Sequence, residues 1–213
     1  MSAETAEVDV AVGSLMREAA WWRLTSLLFE RPHGDWWREV HALAAEVEDE
    51  DLVEAAKHAS DATEGEYLAT LGPSGKVSVR EAGHDGRRDP GHVLAELSAY
   101  YDAFAYGPRT ENPDDHVSVE TGFVGYLYLK QAYALATRGN EEAGLAAAAA
   151  RAFVKDHLTS LAQPLADTLA TAGAGHLAAA ARALARRVGP APAAPGPKVF
   201  WMEEDSTTCA GGQ

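Results

Sequence analysis

Apolar residues recur three and four positions apart along most of the chain, which is the pattern of helices that bury one face. The first such run covers residues 12–29 and stops at Arg31-Pro32. A second helix is predicted over residues 35–47, with Asp35 as its N-cap, and one or two more are predicted over residues 52–71. The first third of the chain is therefore expected to be α-helical.

Residues 72–91 interrupt this pattern with five glycines and two prolines. An irregular stretch of this length inside a compact domain is usually functional or mobile, so this loop is a candidate for either role. Helical spacing returns over residues 92–106 and ends at Gly107-Pro108, because neither glycine nor proline favours continuation of a helix.

The next helix is expected to begin at Asn112. Asparagine is a preferred N-cap, Pro113 suits the first helical position, and Asp114 and Asp115 would then face the positive end of the helix dipole. Apolar residues cover most of the circumference of this helix as far as about residue 137. A helix that is apolar nearly all round is surrounded by other elements, so this one is predicted to be central.

Two alanine-rich helices are predicted over residues 141–161 and 165–188, and Pro164 and Gly173-Ala-Gly175 are expected to break or kink this segment. Because strand patterns and fixed-period repeats are not found, the predicted fold is all-α, a single-domain bundle of about seven to nine helices.

The predicted domain organisation has three parts. Residues 1–12 form a flexible N-terminus, and residues 13–188 form the helical domain, including the long loop 72–91. Residues 189–213 begin with a proline-rich linker and are expected to be a disordered tail.

Charge narrows the set of binding partners. The chain has 18 lysines and arginines against 32 aspartates and glutamates, for a net charge of -14. Such a charge repels nucleic-acid phosphates and anionic lipids, whereas it favours a basic protein segment. The lone cysteine, Cys209, fits a reducing cytoplasm, and the acidic N-terminus resembles no export signal. A cytoplasmic protein without a membrane span is expected.

Sequence motifs for catalysis are weak. Gly75-Lys76 resembles the end of a phosphate loop, but Thr70 and Val77 occupy positions where that motif requires glycine and serine or threonine. The eight histidines provide no pair at helical metal-binding spacing, and no serine lies in a nucleophile-elbow sequence. An enzyme is therefore not predicted, and the alternative of a small helical nucleotide-binding protein that uses loop 72–91 stays open.

Pro113-Asp114-Asp115-His116, followed by Val117-Ser-Val-Glu120, resembles the Pro-x-Asp-His signature of the TorD/DmsD family of redox-enzyme maturation chaperones. Segments 17–29, 66–73 and 97–104 resemble other parts of the family in the same order, so the resemblance covers about residues 13–188. The sequence departs from the family pattern at Thr121 and Gly122.

The resemblance implies a TorD-like, non-catalytic cytoplasmic chaperone for a molybdenum oxidoreductase of the dimethyl sulfoxide reductase type. Such chaperones bind the apo catalytic subunit, often through its twin-arginine leader, assist insertion of the molybdenum cofactor and delay export. Cofactor binding is then expected to be no more than a transient contact with molybdopterin guanine dinucleotide. The client's identity and the oligomeric state stay open.

The resemblance also selects candidate residues for binding the client and its leader. Asp115 and His116 would contact the client, with Pro113 fixing the turn and Asp114 and Glu120 beside them. Four aromatic residues would line a groove for the leader's apolar part: Tyr67, Tyr100, Tyr101 and Phe123. Two alternatives differ in the partner. One is a nitrate-reductase-type assembly chaperone, and the other is a helical scaffold that docks a basic partner.

Overall fold

A computed structural model of the chain describes residues 3–84, 86, 88–108 and 110–190. Over those residues it contains nine α-helices and one isolated β-bridge, so the prediction of an all-α fold is confirmed. The helices are α1 (Ala3–Leu28), α2 (Trp36–Ala44), α3 (Glu50–Lys57), α4 (Glu64–Leu71), α5 (Pro90–Phe104), α6 (Val117–Ala136), α7 (Asn140–Phe153), α8 (Thr159–Ala172) and α9 (Gly175–Val188).

Helix α6 lies at the centre of the bundle, as the sequence predicted. It packs against α1 on one side and α7 on another, and its first nine residues, 117–125, are all buried. Gly122 and Gly125 allow α1 to approach α6 closely. A Cβ atom at Gly125 would lie 3.3 Å from the carbonyl oxygen of Ala19 and from the backbone nitrogen of Arg23.

Helix α1 begins at Ala3, earlier than the predicted start near residue 12. Residues 3–12, which were predicted to belong to a flexible N-terminus, are therefore helical. Most of residues 6–11 are exposed, so they have no buried face to produce an apolar period in the sequence. The remainder of the predicted tail, residues 191–213, lies outside the described residues.

The predicted start of α6 at Asn112 is wrong. Its N-cap is His116, and the helix begins at Val117. His116 is extended because it pairs with Arg80 in the middle of the long loop, where the amide of Glu81 donates to the Asp115 carbonyl and the amide of Val117 donates to the Val79 carbonyl, both at 2.9 Å. This pairing between distant segments overrides the local helix-start signal.

The predicted break at Pro164 is also wrong. Helix α7 continues through a single π-helical turn, Val154–Leu158, into α8, and Pro164 lies inside α8. Leu161 and Leu165 on either side of the proline are fully buried, and this tertiary packing holds the helix despite the missing amide donor. The helix instead ends at Gly173, which has a left-handed backbone with φ of 68°.

None of the helices that the structure describes combines the length and the apolar character needed to span a bilayer.

The α1–α6 contact at Gly125 provides a test of this packing. Gly125→Val should lower the free energy of unfolding by about 2 kcal/mol, because the new side chain must push the backbones of α1 and α6 apart. The matched control is Gly144→Val, at an exposed position of α7 where an added Cβ would meet nothing within 4 Å. Urea unfolding followed by circular dichroism would measure both, and equal effects at the two sites would contradict the close packing.

Candidate functional site

A groove runs along α4, and we refer to it as the α4 groove. Its walls are α4, residues 71–80 of the long loop, residues 30–33 after α1, and residues 108, 110–113 and 116, and its volume is about 1060 Å³. The floor includes Tyr67 and His116, while Leu68, which is 41% exposed, stands at the side. Three of the predicted site residues, Tyr67, Pro113 and His116, line this groove.

His116 joins the groove to the start of α6. Its Nδ1 accepts a hydrogen bond from the amide of Ser118 at 3.1 Å, which caps the helix. Its Nε2 lies 3.4 Å from the hydroxyl of Tyr67, which itself donates to the carbonyl oxygen of Phe29 at 3.2 Å. This arrangement assigns the proton to Nε2 and makes His116 a neutral cap.

Burial governs the ionisation of both groove-floor residues. It lowers the pKa of His116 to about 4, although the neighbouring Asp115 carboxylate acts in the opposite direction. It also raises the pKa of Tyr67 to about 12, so the phenol keeps its proton at neutral pH. The floor of the groove is therefore uncharged and held by hydrogen bonds.

Asp115 is fully buried and does not line the α4 groove directly. Its Oδ1 accepts a hydrogen bond from Nε of Arg80 at 2.8 Å, and Nη2 of the same guanidinium lies 2.8 Å from this oxygen. Arg80 is nearly half exposed and does line the groove, so its guanidinium lies on the outer side of the carboxylate. Asp114, the preceding predicted residue, is half-buried, and its carbonyl accepts a hydrogen bond from Tyr101 at 2.9 Å.

Glu120 is buried one turn into α6, and neither carboxylate oxygen has a hydrogen-bond partner in the described structure. Burial raises the pKa of Glu120 well above its ordinary value of 4.5, and the nearby carboxylates of Glu81 and Asp115 raise it further. Glu120 is thus a neutral acid inside the bundle and not a surface contact for a client.

Glu81 anchors the long loop to the core. Its buried carboxylate accepts from Nη1 of Arg88 at 2.8 Å and lies 3.0 Å from Nδ1 of His157 in the π-helical turn. Arg88 also pairs with Glu96 on α5. Because a buried carboxylate needs partners of this kind, these contacts fix the loop against α5 and the α7–α8 junction.

The other predicted aromatic residues belong to the core. Phe123 is fully buried, with ring centroids of Tyr101 and Phe153 at 4.9 and 4.8 Å. Tyr100 is half-buried and packs edge-on against Phe153 and His157. Tyr100, Tyr101 and Phe123 were predicted to line a groove for the leader, but they do not line the α4 groove. Aromatic residues at helical spacing meet each other across a bundle, and here α5, α6 and α7 bring them together.

Glycines in the long loop have a packing explanation. A Cβ atom at Gly75 would lie 2.5 Å from the carbonyl oxygen of Thr70, so the loop turns back closely on the end of α4. The side chain of Val77 is buried beneath it. This contact accounts for Gly75, the glycine of the phosphate-loop resemblance, without a phosphate. Within the described residues no group of three acidic, histidine or cysteine side chains could hold a metal ion.

Sequence reasoning missed Arg80, Glu81, Arg88 and His157. Each lies in an irregular loop or a π-helical turn, where side-chain spacing carries no periodic signal. Two of the pairs join distant segments: Arg80 and Asp115 are separated by 35 positions, and Glu81 and His157 by 76. Leu68 was also missed, because it falls within an ordinary helical pattern.

A family model described as nitrate reductase delta subunit matches residues 40–167, which is more than half of the chain and includes most of the α4 groove and the buried acids Glu81, Asp115 and Glu120. A search of curated proteins finds no match.

The cap at His116 predicts a pH dependence of stability. The pKa of His116 is about 4 in the folded chain and 6.5 ordinarily. As the pH falls, the unfolded chain therefore binds a proton on this histidine before the folded chain does. The free energy of unfolding should decrease as the pH falls from 6.5 towards 4. His116→Asn should keep the cap and remove this loss. His116→Ala should lower the free energy of unfolding by about 1–2 kcal/mol. Denaturant titrations across this pH range would measure these effects, with exposed His33→Ala as the control.

The raised pKa of Glu120 predicts that stability is lost as the pH rises, which is opposite to the effect of His116. The folded chain keeps a proton that the unfolded chain releases above its ordinary pKa of 4.5, so the free energy of unfolding falls as the pH rises. Glu120→Gln cannot ionise and should be more stable than the natural chain at neutral pH, with the difference vanishing below the ordinary pKa. Glu111→Gln, at a side chain 98% exposed, is the control. Identical pH profiles for Glu120→Gln and the natural chain would contradict a neutral Glu120.

Proposed function

This chain belongs to the nitrate reductase delta subunit family, a TorD-like family of molybdoenzyme assembly chaperones, and we propose that it matures a dimethyl sulfoxide reductase-type enzyme. In this proposal it acts in the cytoplasm, where it binds the apo catalytic subunit and its twin-arginine leader. It holds that subunit for insertion of the molybdenum cofactor and delays its export.

The α4 groove is the observation that supports this proposal. It is open, it has a volume of about 1060 Å³, and its walls combine apolar side chains with charged ones. Leu68 and Leu71 provide apolar contacts for a peptide, and Glu30 and Glu111 provide carboxylates. Such a surface suits an extended segment that carries both apolar and basic residues. The net charge of -14 adds a long-range attraction for a basic segment.

The chaperone would work by mass action. Binding the unassembled client lowers the concentration of the free, incomplete subunit, and it favours the conformation that accepts the cofactor. Once the cofactor is inserted, the client no longer presents the bound conformation, and release follows. The chaperone's own contact with molybdopterin guanine dinucleotide is proposed to be transient, made only while the client receives it.

A second candidate is assembly of a nitrate-reductase-type client that has no classical exported leader. The description of the matching family is equally consistent with this candidate. The two differ in one requirement, because a leader-directed chaperone loses its client when the leader is deleted, whereas the nitrate-reductase type keeps it. The scaffold alternative differs from both, since loss of a scaffold should leave the client's molybdenum content unchanged.

Leu68 gives a direct test of the groove. Tagged chain purified from its own host should bring with it a molybdenum oxidoreductase subunit that is poor in cofactor. Leu68→Glu should reduce that recovery about tenfold, because a charge replaces an exposed apolar contact in the groove. Leu145→Glu is the matched control, since Leu145 is an exposed leucine of α7 and does not line the groove. Mass spectrometry and metal analysis would quantify the recovered client.

Equal recovery with both variants would exclude the α4 groove as the client site. Repeated absence of any molybdenum oxidoreductase, while its gene is expressed, would contradict the maturation function itself. Recovery that survives deletion of the client's leader would support the nitrate-reductase type over the leader-directed one.

A further inference from the structure

A second cavity adjoins α4, and we refer to it as the α9 cleft. It lies between the start of α9, α4 and the connection from α1 to α2, and its volume is about 350 Å³. Helix α4 separates it from the α4 groove: Glu66 and Thr70 line the cleft, Leu68 and Leu71 line the groove, and Tyr67 lines both. An occupant of the cleft therefore contacts the same helix that forms a wall of the groove.

The α9 cleft has apolar walls and acidic edges. Trp36 and Leu177 are buried core residues that border it, so an apolar side chain placed there would extend the existing core. Three carboxylates also border the cleft. Glu30 is paired with an arginine of α1 and Glu66 closes the capping box of α4, whereas exposed Asp61 has no ion pair among the described residues. The cleft thus suits a segment that combines apolar residues with a positive charge.

The chain itself contains a segment of this kind. Residues 191–213 lie outside the described structure, and their single basic residue is Lys198. Four apolar residues follow it directly: Val199, Phe200, Trp201 and Met202. Exposure of two adjacent aromatic side chains to water is unfavourable, so this run is expected to pack against an apolar surface.

The linker between α9 and this segment has the length needed to reach the cleft. Helix α9 starts at the cleft and ends 14 residues later at Val188. At the usual rise of an α-helix it is about 21 Å long. Residues 190–197 include four prolines. Eight residues of polyproline II span about 25 Å. A linker that returns along α9 therefore brings Lys198 to the start of the helix, where the cleft lies.

Attachment to the same chain favours occupation of the cleft. A short linker gives a tethered segment an effective concentration on the order of 1 mM. A segment that binds as a free peptide with a Kd of about 0.1 mM would then occupy the cleft in roughly nine molecules out of ten. The same segment of a second molecule, at a concentration of about 10 μM, would compete poorly.

We propose that residues 198–202 dock in the α9 cleft of their own molecule, with Phe200 and Trp201 against its apolar walls and Lys198 beside Asp61. The docked segment fills the space next to α4 and restrains this helix, which also forms a wall of the α4 groove. Docking depends on the cleft and the segment alone. Its effect on a client in the groove rests in addition on the proposed function.

A nitroxide label near the segment tests the location. The natural chain has a single cysteine, Cys209, so Glu204→Cys in a Cys209→Ser chain can be labelled selectively. The label should reduce the amide NMR signals of Ala62 and Ala174, which line the cleft, by about twofold or more, and it should leave exposed Ala148 of α7 unchanged. Phe200→Ser with Trp201→Ser in the labelled chain should restore the signals, because the apolar contacts are lost.

Two results of the label experiment would overturn the proposal. One is the absence of any selective loss at the cleft. The other appears when labelled chain without isotope is mixed with isotope-labelled chain that carries no nitroxide. An equal loss in that mixture would show that a second copy supplies the segment.

A competition experiment tests the chemistry of the site. The probe is a fluorescent peptide of residues 196–206, measured by anisotropy. The Phe200→Ser, Trp201→Ser chain has an open cleft and should bind this peptide about tenfold more tightly than the natural chain, whose own segment competes. In the open-cleft chain Asp61→Lys should weaken binding about threefold or more, because it reverses the charge beside Lys198. Glu111→Lys is the matched control, since Glu111 is 98% exposed and lines the α4 groove.

Equal affinity for the natural and open-cleft chains would show that the natural segment does not occupy the cleft. Weakening by Glu111→Lys with no effect of Asp61→Lys would place the peptide in the α4 groove, which also contradicts the proposal. Both experiments use the chain without a client. Their outcome is therefore independent of whether a molybdenum oxidoreductase is recovered with it.

Discussion

A helix that is buried on all sides must satisfy its first amide groups inside the protein, and this requirement at the start of α6 organises the candidate site. His116 meets it by capping the helix through Nδ1. The same ring then contacts Tyr67 of α4, and the backbone on either side pairs with the middle of the long loop. One buried helix terminus therefore brings α4, the long loop and the segment after α1 together at the α4 groove.

The polar residues of this region divide into two groups with different physical roles. Glu81, Arg88 and His157 are buried or half-buried and fix the long loop to the core, and Glu120 lies among them as a neutral acid. Arg80, by contrast, reaches from the loop to the edge of the groove, where nearly half of its side chain is exposed. The buried group gives the loop a defined position, and that position places Arg80 over Asp115.

An open groove on fixed elements is consistent with the chaperone role of the family. A chaperone must hold a client and later release it, so binding energy must be moderate and its groove must stay accessible. The α4 groove has apolar and charged walls on fixed elements, and its floor carries no charge because burial keeps His116 and Tyr67 neutral. Membership of the nitrate reductase delta subunit family accords with this arrangement.

The sequence by itself determined the helical class, the central place of α6 and the signature that marks the family, because apolar periodicity and short motifs are local properties of the chain. It also identified Tyr67, Pro113 and His116, which the structure brings together at the groove. Tertiary structure alone decided where α6 begins, which aromatic residues are core, and that Arg80 covers Asp115 across 35 positions of sequence. Those features depend on pairing between distant segments and on burial, and neither of these produces a periodic pattern or a fixed spacing within a single segment of sequence.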